Sequence, residues 1–591
     1  MAASGLVPDG TSSGRAQDAA THKVGTAAGG AAQAFDELIA KDWEWRMEHN
    51  PTWASTLGDR RWNDRWEDLS LEAISLAHQH GVDVLAALKA INRTQLSAPD
   101  GLNYDLLEKD YQTDAEDYGL HAYLMPFNSQ REGIQTAAQL ADALPFVSSK
   151  DYEDWLARLR RFPACLDQTT EELRQGIREK MVLSRAVLQR VPGQLDKQIV
   201  PDPRESDFYK PYRSFAPSVA PADQERLSKA AQDAISQGIV PAFARYREFY
   251  VKEYLPACYP EPGIWQAPNG AELYNFLVRK FTTTDLTAAQ VHEIGLGEVA
   301  RINGEMEAVR ARTGFQGSRP EFFQHLRTDP RFFEKTPEEL LKTYRATAKR
   351  VDPELVKLFH TLPRMPYGVK PIPDAVAPDT TAAYYAPGAA DGSRAGIYYV
   401  NLYRPETRPT WEMTALTLHE SVPGHHVQIA LAMEQTGLPN FRRYGYYNAF
   451  GEGWGLYAES LGDEMGLYDD PYAKFGQLTY DMWRAVRLVV DTGMHAMHWD
   501  RQKAIDFFMQ NAAKEELDVV NEIDRYIAWP GQALAYKIGQ LKISELRTQA
   551  AQALGARFDV REFHNVVLRD GALPLDILQR NVNEWISATK A

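Results

Sequence analysis

From Phe35 onward, apolar residues recur at three- and four-residue spacing, as in "AFDELIAKDWEWRMEHNP" and "DQERLSKAAQDAISQGIVPAFARYREFYVKEYL". That period lines up one face of an α-helix, whereas a half-buried strand needs strict alternation. Helix is therefore the default state. Helix starts carry their own punctuation: in "KTPEELLKTYRATAKRV", Thr336, Pro337 and Glu339 form a capping-box pattern with proline in the first turn. Alternation is clearest in "AGIYYVNLY", Ala395 to Tyr403, which follows the loop "YYAPGAADGSR". The proline-rich "LPRMPYGVKPIPDAVAPDT" ahead of it predicts irregular backbone. The expectation is a mainly α protein of two helical lobes with one small antiparallel sheet. Its parts are a flexible tail over 1–34, an N-terminal lobe over 35–280 and a C-terminal lobe over 281–591. A deep cleft is expected between the lobes, where sites in large helical proteins tend to lie.

A chain of 591 residues has room for a large core or several domains. Its 65 Lys and Arg against 80 Asp and Glu give a net charge of -15, which argues against nucleic acid as a partner. No apolar run approaches the roughly 18 residues of a membrane span. With only Cys165 and Cys258 there is no disulfide framework and no thiol set for zinc, and two buried free thiols are expected. The first 34 residues are rich in Ala, Gly, Ser and Thr and lack the apolar centre of a secretory signal, which leaves the compartment open.

The chemistry concentrates in "LHESVPGHHVQIALAMEQ", Leu418 to Gln435. A zinc-binding helix of the H-E-x-x-H kind presents two imidazoles one turn apart, about 6 Å along the axis. Here the position four residues after His419 is Pro423, and the next histidines are His425 and His426. On a straight helix His425 lies about 120° off the His419 face, and His426 lies on it but about 10 Å further along. Pro423 cannot donate to the carbonyl of residue 419, so the helix must kink or bulge, and Gly424 absorbs the distortion. Two residues looped out would put His425 in the second ligand position. A sharper restart at Pro423 would select His426 instead, and the other imidazole would then serve substrate contact or ligand support.

Glu420, next to the first histidine, is placed as general base toward a metal-activated water. A catalytic zinc needs a third protein ligand and an open fourth position. "FGEGWGLYAES" offers Glu452 and Glu459 on one helix face, and the flanking Gly451 and Gly453 leave more room at Glu452. The other His-Glu pair, His292-Glu293 in "VHEIGLGEVARI", has no second histidine and reads as a surface helix. Downstream, "DMWRAVRLVVDTGMHAMHWD" places Arg487, Asp491 and His495 on one stripe. That stripe either anchors a substrate carboxylate or forms an internal ion-pair ladder. The edge of "AGIYYVNLY" is a candidate for pairing with an extended peptide.

The string H-E-S-V-P-G-H-H, with "GEGWGLYAE" after it and "RYIAWPGQALAYKIGQ" later, resembles the bacterial family filed as domain of unknown function 885 and described as zinc metallopeptidases. The resemblance runs from about Phe35 to the end. It implies a helical zinc-peptidase-like fold, one zinc ion, and short peptides as substrates. "GEGWGLYAE" is also similar to the helix that supplies the glutamate ligand in zinc aminopeptidases, which favours Glu452. The Gly-His pair is similar to that of helical oligopeptidases with a deep channel. By similarity to the late tyrosines of such enzymes, Tyr536 is the first choice as donor to the developing oxyanion, with Tyr526 second. A zinc-dependent amidase acting on a non-peptide amide is the alternative. A non-catalytic metal-binding protein is a third reading, disfavoured because a structural site has no use for Glu420.

Overall fold

The computed structural model describes residues 29–126, 133–374, 377–379, 381–389, 392 and 394–591. Helices dominate, as the periodicity requires. The first runs over Gly29–His49, so the expected tail boundary at residue 34 is too late. Ala31, Ala32 and Gln33 are good helix formers, and Gln33 Nε2 donates to Glu37 Oε1 at 3.0 Å, so the helix extends back through them. The remainder of the expected tail, residues 1–28, lies outside the described residues. At Thr336 the cap forms as read: the Glu339 amide donates to Thr336 Oγ1 at 3.2 Å ahead of the helix Pro337–Val351.

The sheet has three strands in the order β1-β3-β2, with β1 Tyr367–Pro371, β2 Ala383–Ala386 and β3 Gly396–Val400. β3 pairs parallel to β1 and antiparallel to β2, so the sheet is mixed rather than antiparallel. β3 is central, so neither of its edges is free to receive a peptide. β1 forms inside the stretch expected to be irregular, between prolines; Pro371 at its end costs little on an edge strand.

Two large apolar clusters hold the helices together. One joins Trp155, Phe162 and Phe243 with Val486, Val489 and Ile523. The other joins Leu107 and Leu273 with Leu418, Trp454, Ile538 and Val567. Both draw on residues from either side of position 280, so the expected lobe division does not coincide with a break in packing. The helix Pro471–Ala496 serves both clusters, through Val486 and Val489 in one and Leu488 in the other. It packs on Ala288–Arg312, where a Cβ added at Gly295 would lie 2.7 Å from Leu488 Cβ. His292 faces this contact and is buried, with Nδ1 2.8 Å from Thr492 Oγ1, instead of standing on a surface helix. Cys165 and Cys258 are both buried and free, as expected. No helix among the described residues is long and apolar enough to cross a membrane.

Candidate metal centre

The helix Met413–Glu420 carries His419 and stops there, and a second helix, His425–Glu434, begins directly with the next histidine. The expected bulge inside one helix is therefore a break between two. Pro423 lacks the amide that would continue the ladder. At Gly424 an added Cβ would fall 1.9 Å from the His419 carbonyl oxygen, so only glycine lets the chain double back over the helix end. Ser421 Oγ donates to the Thr417 carbonyl at 2.6 Å, and Trp454 Nε1 donates to the Pro423 carbonyl at 2.9 Å. These bonds fix the turn to its own helix and to Asn448–Ser460, the helix that bears Glu452.

The turn selects His425. One donor atom from each of His419, His425 and Glu452 lies within 4.8 Å of the others. Glu452 Oε2 is 3.5 Å from Nε2 of His419 and 3.5 Å from Nε2 of His425. Donors set tetrahedrally at zinc–ligand lengths of about 2.0–2.1 Å stand about 3.3 Å apart, so this spacing suits a zinc ion. Burial alone would raise the Glu452 carboxyl, yet the two imidazoles hold it well below the usual carboxylate range. Burial would lower His419, but Glu452 and Glu459 push it up to about 9. The enclosed carboxylates thus demand positive charge that neutral imidazoles do not supply, and a cation meets that demand as well as protons do. His425 Nδ1 is enclosed without a hydrogen-bond partner.

Glu459, the other candidate third ligand, lies behind the first. Its Oε1 accepts from His419 Nδ1 at 2.8 Å, which turns Nε2 of the same ring toward Glu452. A carboxylate fixing tautomer and orientation in this way is a recurring support for metal-bound histidine. Arg484 Nη2 stands 3.2 Å from the same Glu459 oxygen. The glycines of "GEGWG" serve packing rather than making room for the ion. A Cβ at Gly455 would press on the His419 ring at 2.8 Å, and one at Gly453 would lie 2.5 Å from Gly539 Cα. The latter contact draws the helix Ala535–Leu554 against the Glu452 helix and brings Tyr536 alongside.

Glu420 makes no hydrogen bond or ion pair among the described residues and is only partly enclosed. Tyr446, missed in the sequence, donates to Glu452 Oε1 at 3.1 Å and is 43% exposed. Its signal is faint: a tyrosine six residues before the ligand, with Gly451 clearing space for its ring. Tyr536 is half-buried, and burial and the Glu452 charge raise its hydroxyl, so it remains a donor. His426 points away from the cluster. Its Nε2 donates to the Met365 carbonyl at 3.0 Å and its Nδ1 accepts from the Tyr385 hydroxyl at 2.9 Å, which ties the sheet to the metal helix.

The downstream stripe is internal. Arg487 is 4% exposed, bonds the Tyr526 hydroxyl at 2.7 Å and Glu522 at 3.1 Å, and lies over the Tyr536 ring at 4.3 Å. Tyr526 spends its hydroxyl on Arg487, Glu522 and Trp483, so it is no oxyanion donor. Asp491 accepts from the Tyr274 hydroxyl and the Gly531 amide. His495 Nδ1 accepts from the Ile264 amide and its Nε2 donates to the Tyr526 carbonyl, so it reaches neither metal nor substrate. Of the two readings of the stripe, the internal one holds, with Arg487 paired to Glu522.

Burial pushes His495 down to about 4, and does the same to His564, whose Nδ1 donates to the Leu358 carbonyl and whose Nε2 accepts from Tyr457. Both imidazoles are neutral when folded and take up protons near pH 6.5 when unfolded. Their contribution is therefore complete above about pH 6.5 and is lost as pH falls toward 4, by up to about 3 kcal/mol each. Burial raises Asp491, Glu172 and Asp110, which act in the opposite sense over the same window. The test is therefore differential: the urea midpoint of wild type is expected to fall relative to those of His495→Gln and His564→Gln between about pH 6.5 and 4.5, and a constant difference contradicts the assignment.

A mainly helical fold with a His-His-Glu cluster beside a free glutamate defines the class of structure. The chain belongs to the family described as "Bacterial protein of unknown function (DUF885)", which matches residues 51–582. It is similar to a crystal structure of a "putative lipoprotein" from Colwellia psychrerythraea, at 30% identity and a TM-score of 0.88, covering 94% of this chain and 99% of that one. A "putative lipoprotein of unknown function" from Shewanella oneidensis shares the fold at 18% identity and a TM-score of 0.64, with 92% and 99% covered. A search of curated proteins found no match.

Proposed function

We propose that this chain is a zinc-dependent metallopeptidase that hydrolyses short peptides, built on a two-lobed helical fold of the zinc-peptidase kind. The observation that carries the reading is the convergence of His419, His425 and Glu452 next to the unpaired carboxylate of Glu420. A zinc ion held by those three residues supplies Lewis acidity to a water and to the scissile carbonyl. Glu420 takes a proton from the attacking water as its oxygen bonds the carbonyl carbon, and returns that proton to the amine nitrogen as the C–N bond breaks. Tyr536 donates toward the oxygen that gains charge, while Tyr446 holds Glu452 through its hydroxyl. Glu459 keeps His419 in the tautomer that faces the ion. The lipoprotein description of both similar structures favours export.

The test uses protein stripped by a chelator and reconstituted with one equivalent of zinc, offered peptides of graded length beside acylated amino-acid amides. Peptide hydrolysis is expected to vanish on stripping and return with zinc. Hydrolysis of the acyl amides alone would transfer the site to a non-peptide amidase, and hydrolysis of neither substrate overturns the reading.

A further inference from the structure

A cavity of about 270 Å³ is lined on one side by the helix that carries His419. Leu416 lines it from the His419 helix, four residues before Glu420 and so on the same face, about 6 Å along the axis. Arg525 lines it too, and is an electrostatic neighbour of Tyr536, itself a neighbour of Glu452. No candidate ligand lines the cavity, and Leu416 and Arg525 are its links to the site.

Most charges on its wall are already matched. Lys514 pairs with Glu412 at 2.7 Å, and Asp524 pairs with Arg501 at 2.6 Å. Arg525 is fixed by Gln532 at 2.8 Å and Glu522 at 3.2 Å. Glu515 and Asp518 lie at the start of the helix Glu516–Ala528, where the helix dipole favours them. Arg408 stands apart: its side chain makes no hydrogen bond or ion pair among the described residues, and its Nε is enclosed without a partner. A guanidinium nitrogen shut from solvent with no acceptor is costly, and a carboxylate is the group whose geometry a guanidinium matches, through two parallel N–H bonds.

We propose that Arg408 binds the free carboxylate of a peptide's C-terminal residue in this cavity, so that the scissile bond lies close to the C-terminus. The cavity is near the lower end of small-ligand sites, roughly 300 Å³ upward, which suits one or two residues beyond the bond. The cleavage preference rests on the peptidase reading; the binding of a carboxylate does not.

Binding is measured by calorimetry on zinc-stripped protein, so that no metal attracts the probe. The probes are N-acetyl-leucine, N-acetyl-leucinamide, and an N-acetyl-aspartate amidated at its main-chain carboxyl. The first is expected to bind at least tenfold more tightly than the other two. Arg408→Gln removes no side-chain hydrogen bond or ion pair within the protein and should cut that preference below twofold. Equal binding of acid and amide, or a preference unchanged in the variant, overturns the proposal. Tight binding of the amidated aspartate assigns the site to acidic side chains and overturns the C-terminal source. A second arm follows hydrolysis of a pentapeptide as free acid and as amide by the zinc-loaded protein, with kcat/KM expected at least tenfold higher for the acid. If neither peptide is cut while the calorimetric preference holds, the peptidase reading falls and the carboxylate site stands. If both are cut equally and the preference is absent, the peptidase stands and this proposal falls.

Discussion

Glu420→Gln is expected to keep the fold and the metal while lowering kcat for peptide hydrolysis by about 10²- to 10⁴-fold, the usual contribution of a positioned general base. The substitution preserves shape, and Glu420 makes no hydrogen bond or ion pair whose loss would disturb its surroundings. It removes the basic oxygen that carries a proton from water to the leaving amine. KM should change little, because no ligand and no cavity-lining residue is altered. Hydrolysis at the wild-type rate would assign the base elsewhere.

Glu459→Gln should act on the metal without touching it. The carboxylate accepts from His419 Nδ1 at 2.8 Å, and its loss frees the ring to rotate or change tautomer. Partners of this kind are typically worth 10- to 100-fold in metal affinity, and a loss of that size is expected in a zinc competition titration. The same change leaves the buried Arg484 guanidinium without its anion. Breaking a buried pair from one side costs about 3–5 kcal/mol, so the thermal midpoint should fall as well. Unchanged zinc affinity in a destabilised protein would reduce Glu459 to a structural counter-ion.

The sequence displays the candidate ligands more clearly than the residues that support them. Helical periodicity and the cap at Thr336 are local properties, and they survive folding because local preference and tertiary packing agree. His425 could be set ahead of His426 because a proline and a glycine restrict what a helix can do between two histidines, whereas Glu452 was favoured by a resemblance and by flanking glycines that serve packing instead. Glu459 was visible as a candidate but in the wrong role. Two turns separate it from Glu452, and only the position of the ring between them lets Nε2 face one carboxylate and Nδ1 the other. Tyr446 sits in the segment before its helix among 28 tyrosines, with no spacing rule to single it out. The Arg487 stripe leaves two readings open in the sequence because a charged stripe looks the same whether it faces substrate or Glu522, and the internal one holds. The parallel pairing of β1 with β3 depends on contacts distant in sequence, which no strand carries in its own residues.

On the proposed reading, a broken helix and a crossing helix assemble a three-ligand zinc site with a position left open. X-ray absorption at the zinc edge, on wild type loaded to saturation, resolves that coordination. One zinc per chain is expected, with two imidazole nitrogens and one carboxylate among its near neighbours plus a light-atom ligand from solvent, and the bound ion is expected to be lost in His419→Ala. A protein that binds no zinc, or an ion enclosed by four protein ligands, contradicts that reading.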